Sequence, residues 1–160
     1  MKCGSERRSA LRHNKLSLFL HLVWATWDRL PMITPDIERR LYRAIEREAI
    51  VDRCTVLALN GTADHVHVVL IIPPTATIAD LVKNLKGSSS HFVNEVLRPE
   101  LPFKWQGSYG AFTVSRWDLE QVVGYVKNQK QHHAASTLLQ EWEETHQEVA
   151  TEGEMGQGPD

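Results

Sequence analysis

The chain has 160 residues, of which 42% are hydrophobic and 24% are charged, a balance that is ordinary for a single globular domain. The net charge of −2 averages two unlike parts: residues 141–160 hold seven acidic side chains and no Lys or Arg, so residues 1–140 carry a net charge of +5. No apolar run approaches the ~18 residues of a membrane span, and the polar, basic start lacks the apolar core of a signal peptide. We therefore expect a cytoplasmic protein with no membrane partner, in which 1–15 is a flexible basic arm, 16–140 the domain and 141–160 an acidic, partly disordered tail.

The predicted elements follow the order strand, helix, strand, strand, helix, strand, helix. Runs rich in β-branched and aromatic residues predict strands at residues 19–26, 55–59 and 65–72, and a fourth strand or a bent ribbon over 103–114. Apolar residues at helical spacing predict helices over 35–51, over 77–97 and from Ser115 onward. Asn60-Gly61, between the second and third strands, is a signal for a hairpin turn or a bulge.

This order is typical of a ferredoxin-like (RRM-like) α+β fold with one added C-terminal helix. In such a fold one antiparallel sheet is backed by helices on one face. We expect the other face to be open to a ligand or to a second copy of the chain.

Two histidines in the third predicted strand are the strongest chemical signal. His65 and His67 leave the same face of a strand, roughly 6.5–7 Å apart along the chain, while Val66, Val68 and Leu70 leave the other face toward the core. Two imidazoles on one face can hold one divalent metal ion. The alternative is a strand with two solvent-exposed histidines.

Tyr125 and Gln129 are four residues apart in a predicted helix and so share a helix face. Near a divalent metal, a phenol can attack a phosphate, and an amide oxygen is a ligand that suits Mg²⁺ or Mn²⁺. With the histidine pair, these residues favour a metal-assisted phosphodiester-cleaving centre. The alternative for Tyr125 is a tyrosine that packs its helix on the sheet. His21, His132 and His133 are further ligand candidates, and we expect the last two to contact phosphate or to be exposed.

Basic and aromatic side chains indicate a path for a nucleic-acid strand. The basic candidates are Lys83, Lys86, Lys104, Arg116, Lys127 and Lys130. Trp105, Tyr109 and Trp117 are candidate stacking platforms, although core packing is the alternative for Trp105. Gly87 lies inside a predicted helix, where Gly costs about 1 kcal/mol relative to Ala. A close approach of another backbone or of DNA would explain it, and so would a break in the helix.

Four blocks of the sequence resemble one family. The blocks are Ala63-Asp64-His65-Val66-His67, Leu85-Lys86-Gly87-Ser88-Ser89-Ser90, the run from Phe103 to Ser115, and the run from Tyr125 to His133. In this order, over about residues 16–135, they resemble the single-tyrosine HUH transposases of small bacterial insertion sequences and the REP-associated tyrosine transposases.

The resemblance implies that His65, His67 and Gln129 bind Mg²⁺ or Mn²⁺ and that Tyr125 is the nucleophile. It implies cleavage and transfer of single-stranded DNA that is folded into a hairpin, through a 5′-phosphotyrosine intermediate and without a nucleotide cofactor. It also implies a homodimer, in which the tyrosine helix can complete the site of the partner. Two other functions stay open: a nucleic-acid-binding relative that does not cleave, and a metal-dependent hydrolase of a small phosphorylated substrate.

Overall fold

The computed structural model describes residues 14–135, in which four strands form one antiparallel sheet with the order β2-β3-β1-β4. The strands are β1 Phe19–Ala25, β2 Thr55–Gly61, β3 His65–Ile71 and β4 Gly110–Val114. The helices are α1 Pro35–Val51, α2 Ile78–Phe92, α3 Leu119–Lys127 and α4 Gln129–Ala135. The predicted ferredoxin-like α+β fold is confirmed. Within the described residues, no helix is both long enough and apolar enough to cross a membrane. The predicted basic arm up to residue 13 and the acidic tail lie outside the described residues.

One face of the sheet carries the main apolar core beneath α1 and α2. Alternate residues of the two central strands point into this core, and they are Leu20, Leu22 and Trp24 of β1 and Val66, Val68 and Leu70 of β3. Leu41 and Ile45 of α1 and Leu81 and Leu85 of α2 pack against them. Because successive strand residues leave opposite faces, the intervening residues, among them the histidines, leave the second face.

The second face of the sheet is covered by α3, so the prediction of an open face is wrong. Val122, Tyr125 and Val126 of α3 pack on Ala58 of β2 and Val69 of β3. The apolar stripe of α3 has to be buried somewhere, and the sheet of the same chain provides the surface. The protein therefore has two cores, a large one beneath α1 and α2 and a small one beneath α3.

The turn between β2 and β3 lies later than its sequence signal. Asn60-Gly61 is neither the turn nor a bulge but the end of β2, paired with β3. The turn is formed by residues 62–64, and the amide of its first residue donates to the His65 carbonyl at 3.0 Å. The irregular pairing of β2 lies between Val56 and Ala58.

One helix boundary also differs from the prediction. α2 passes without a break into a wider π-helical turn over Val93–Leu97, so this helical run ends at residue 97 as predicted, whereas α3 begins at Leu119 rather than at Ser115. The Ser115 hydroxyl donates to the Asp118 carboxylate at 2.5 Å and accepts from the Asp118 amide at 3.1 Å. These local bonds close a turn, because short polar side chains compete with helical hydrogen bonds.

The segment before β4 is held by hydrogen bonds rather than by a continuous strand. Trp105 forms a single bridge to Thr26, beyond the end of β1. Its indole Nε1 donates to the Ser89 hydroxyl at 2.9 Å, and its side chain is only 6% exposed. Core packing, the alternative to a stacking platform, is thus what the structure shows for Trp105.

Two glycines, Gly61 at the end of β2 and Gly87 in α2, allow a matched test of packing. A Cβ at Gly61 would lie 2.1 Å from the His65 carbonyl oxygen, whereas one at Gly87 would meet nothing within 4 Å. We expect Gly61→Ala to lower the free energy of unfolding by about 2 kcal/mol or more, because the strand pair must separate. Gly87→Ala, in an unbroken helix, should raise it by about 0.5–1 kcal/mol. Urea unfolding measures both, and equal effects would contradict this description.

Candidate active site

The His65 side chain is buried and its orientation is set by the turn before β3. His65 is 1% exposed, and its Nδ1 lies 2.6 Å from the Asp64 carboxylate and 2.9 Å from the Thr62 hydroxyl. With Nδ1 turned toward this carboxylate, Nε2 is the ring nitrogen that points away from it. Burial by itself raises the pKa of Asp64, but the hydrogen bonds from His65 and Thr62 and the nearby Arg29 outweigh it, so that the net pKa is lowered. Asp64 therefore stays ionised and holds the ring.

His67 is completely buried and pairs with a third histidine, His21 of β1. The His67 Nδ1 and the His21 Nε2 share a hydrogen bond at 2.9 Å, and the two rings are stacked with centroids 5.2 Å apart. The His65 and His67 ring centroids are also 5.2 Å apart. The alternative of two solvent-exposed histidines is therefore wrong, and His21 lies behind His67 as its hydrogen-bond partner.

Tyr125 and Gln129 do not share one continuous helix, contrary to the prediction. α3 ends at Lys127 and α4 begins at Gln129, with the break at Asn128. Both side chains are nonetheless buried, Tyr125 at 5% exposed and Gln129 at 0%. The Tyr125 ring centroid lies 6.2 Å from that of His67. The structure thus brings the phenol and the histidine strand together within one chain.

Two histidines of α4, His132 and His133, which the sequence offered as further ligand candidates, take part in this cluster. The His132 ring stacks on the Tyr125 ring, with centroids 4.7 Å apart. The His133 Nε2 lies 3.1 Å from the His65 Nε2. Both side chains are partly buried, so the expectation that they are exposed is wrong. The two histidines follow Gln129 by three and four residues, a spacing that puts residues on the same side of a helix.

The six predicted DNA-contact side chains fall into separate groups. Lys83, Lys86 and Lys104 line a cleft of about 440 Å³ between α2 and residues 103–109. Lys127 and Lys130 belong to α3 and α4, which cover the histidine face, and Arg116 lies in the turn before α3.

Lys86 is engaged within the protein. Its ammonium group donates to three consecutive carbonyls, those of Gln106, Gly107 at 3.3 Å and Ser108 at 3.2 Å. Burial lowers its pKa. Lys86 therefore closes one wall of the cleft by holding the loop over residues 106–108.

The residue types at the histidine pair limit how a metal ion can be held. Among residues 14–135, no three His, Cys, Asp or Glu side chains are arranged to hold a metal ion. A metal at His65 and His67 would therefore take its third protein ligand from another residue type. Gln129 is a completely buried amide of suitable chemistry at the start of α4, the helix whose His133 reaches His65.

Residues 14–129 match the family model of IS200-like transposases. The chain is a member of the IS200-like transposase family. It is therefore a tyrosine transposase of the Y1 type, an enzyme of DNA transposition. This confirms the family predicted from the four sequence blocks.

Relatives of this IS200-like transposase agree in sequence and in fold. The ISDra2 transposase TnpA of Deinococcus radiodurans is 30% identical over 115 residues, which are 68% of this chain and 81% of that protein. A crystal structure of a Deinococcus radiodurans R1 protein assigned as a transposase matches with a TM-score of 0.60 and 29% identity, over 81% of this chain and 98% of the other. A REP-associated tyrosine transposase bound to a REP hairpin shares the fold, with a TM-score of 0.58 and 13% identity over 79% of this chain and 73% of the other.

Lys86→Met tests whether the Lys86 ammonium holds the loop. Methionine keeps the apolar stem but loses the charged hydrogen bonds, so we expect the free energy of unfolding to fall by about 1–2 kcal/mol. Amide hydrogen exchange at residues 106–108 should become faster. Lys83→Met, at an exposed position of the same helix, is the matched control. Unchanged exchange in Lys86→Met would show that the loop is held by other contacts.

Proposed function

We propose that this transposase cleaves single-stranded DNA beside a hairpin through Tyr125. The Tyr125 oxygen forms a bond to the scissile phosphorus, the bond between phosphorus and the 3′ oxygen breaks, the phenol loses its proton, and the 3′ oxygen takes one up. The products are a 5′-phosphotyrosine and a free 3′-hydroxyl, and because the covalent link retains the bond energy, rejoining needs no nucleotide cofactor. The observation that supports this proposal is the Tyr125 ring, buried 6.2 Å from the His67 ring.

His65, His67 and Gln129 are the proposed ligands of Mg²⁺ or Mn²⁺. The donor set fits, because imidazole nitrogens and an amide oxygen are ligands of divalent cations. The Nδ1 atoms of the two histidines are engaged by Asp64 and His21, so a metal ion would be bound through the Nε2 atoms. Two imidazole nitrogens and one neutral amide oxygen leave coordination positions for phosphate oxygens. When bound, the ion would offset the negative charge that develops on the phosphate oxygens.

The histidines of α4 support the ring positions in this proposal. Stacking by His132 orients the Tyr125 phenol. The His133 Nε2 lies within hydrogen-bond distance of the His65 Nε2. A metal ion would therefore bind this nitrogen of His65 only if the His133 side chain moved away.

The cleft beside α2 is the proposed contact for the DNA hairpin. Lys83 and Lys104 are exposed in this cleft and can contact phosphates. Gly87 has no side chain to fill the space at the cleft wall, so a phosphate backbone can approach α2 closely there. The REP-associated relative, which was solved with a hairpin, supports a hairpin as the partner. Contacts by Arg116 and Lys127, and the homodimer, stay predictions. Sedimentation of the full chain tests the homodimer.

Tyr125→Phe tests the nucleophile. We expect this variant to form no covalent adduct with a hairpin-bearing single strand, while its thermal unfolding and its affinity for the hairpin stay within about twofold of the unsubstituted protein. Denaturing gel electrophoresis measures the adduct, and Tyr109→Phe is the control. An undiminished adduct in Tyr125→Phe would exclude Tyr125. An unsubstituted protein that binds the hairpin and forms no adduct would favour the alternative of a non-cleaving relative.

Asp64→Asn tests the metal site through the orientation of His65. Because the carboxylate holds the ring, we expect the affinity for Mn²⁺ to fall by about 10- to 100-fold. Titration followed by electron paramagnetic resonance of free Mn²⁺ measures this affinity without DNA. Asp118→Asn serves as the control, because Asp118 is exposed and lies before α3. A third variant, His67→Ala, should abolish both Mn²⁺ binding and cleavage. Equal affinities in all four proteins would overturn the proposed site.

A further inference from the structure

The junction between α3 and α4 lies between the proposed nucleophile and the proposed third ligand. At Asn128 the backbone leaves helical geometry, with φ −99° and ψ 16°. α4 has seven residues, which is too short for a helix to be stable by itself in water. The position of Gln129 relative to Tyr125 therefore depends on contacts between this junction and the rest of the chain.

Asn60 at the end of β2 makes the first of these contacts. Its Nδ2 donates to the Lys127 carbonyl at 2.8 Å, which is one of the last carbonyls of α3 and needs a partner outside the helix. Asn60 is directly opposite His67 in the antiparallel strand pair, so the two side chains leave the same face. The end of α3 is thereby tied to a position beside His67.

Lys130 makes the second contact, from the first turn of α4. Its ammonium group donates to the Asn60 Oδ1 at 2.9 Å and also to the Glu38 carboxylate of α1. The Tyr42 hydroxyl, one turn further along α1, donates to the same carboxylate oxygen at 3.0 Å. Burial, and then the Glu38 charge, raise the pKa of Tyr42 above its usual range, so the phenol stays protonated and keeps Glu38 in place.

We propose that Glu38, Asn60 and Lys130, the α4 clamp, are positioning residues that hold Tyr125 and Gln129 against the histidine face of their own chain. They act through α3 and α4 and not on DNA or on the reacting atoms. Lys130, which the sequence suggested as a DNA contact, has its ammonium group engaged with α1 and β2 in this role. The inference rests on the proposed role of Tyr125 as the nucleophile.

A charge swap in the full chain tests the clamp, with the rate constant of adduct formation at saturating hairpin DNA as the readout. Glu38→Lys brings two ammonium groups together and should lower this rate constant by about 5- to 10-fold without weakening hairpin binding. Glu46→Lys makes the same charge change at an exposed position of α1 and should leave the rate constant unchanged. The double variant Glu38→Lys/Lys130→Glu restores opposite charges and should return to within about twofold of the unsubstituted protein.

Hydrogen exchange separates positioning from general destabilisation. In Glu38→Lys the amides of residues 124–133 should exchange faster, while those of β3 keep their protection. An unchanged rate constant in Glu38→Lys, or a double variant as slow as Glu38→Lys alone, overturns the clamp. So does a Lys130→Ala protein that binds DNA more weakly but reacts at the full rate when saturated, because Lys130 would then be a DNA contact. The failure of the proposed function looks different: an adduct that persists in Tyr125→Phe rejects Tyr125 as the nucleophile, whatever the rate constant of Glu38→Lys.

Discussion

Three imidazoles and one amide, from His21, His65, His67 and Gln129, are buried between the sheet and the C-terminal helices. A buried polar group that lacks a hydrogen bond costs about 1–3 kcal/mol, so this face can be covered only if its polar groups are satisfied. The bonds from His67 to His21 and from His65 to Asp64 meet that requirement for the ring nitrogens they engage. Because they also fix which way each ring points, folding and preorganisation of the proposed metal site depend on the same interactions.

The two faces of the sheet are covered in different ways. Beneath α1 and α2 lies an extensive apolar core, whereas α3 buries only a small cluster around Ala58 and Val69. Short helices with few buried apolar contacts belong to the least stable part of a protein, and segments that must move are drawn from that part. This suits an element that carries the proposed nucleophile and that, in the proposed function, would have to admit both a metal ion and DNA. It also explains why polar contacts such as that between Asn60 and the end of α3 matter there.

The basic cleft and the histidine face are on different sides of the sheet, yet the backbone connects them closely. The Gln106 amide, in the loop that Lys86 holds, donates to the Ala25 carbonyl at 2.9 Å. Ala25 is in turn paired with His65 across β1 and β3. A hairpin held in the cleft would thus be connected to β3, the strand of the proposed metal ligands, through the end of β1. Rigid elements of this kind position a reacting group more accurately than loops do.

The sequence by itself determined the order of the elements, the bounds of α1, the face from which His65 and His67 leave β3, and the family, because these follow from local periodicity and from short motifs. Only the tertiary structure decided that α3 covers the histidine face, that the chain breaks at Asn128, and that His133 reaches His65. Periodicity reports which side of an element is apolar, but it does not say which surface will cover that side. A contact such as that between Glu38 and Lys130, which are 92 residues apart, leaves no local signal at all, since it exists only once the strands between them have paired.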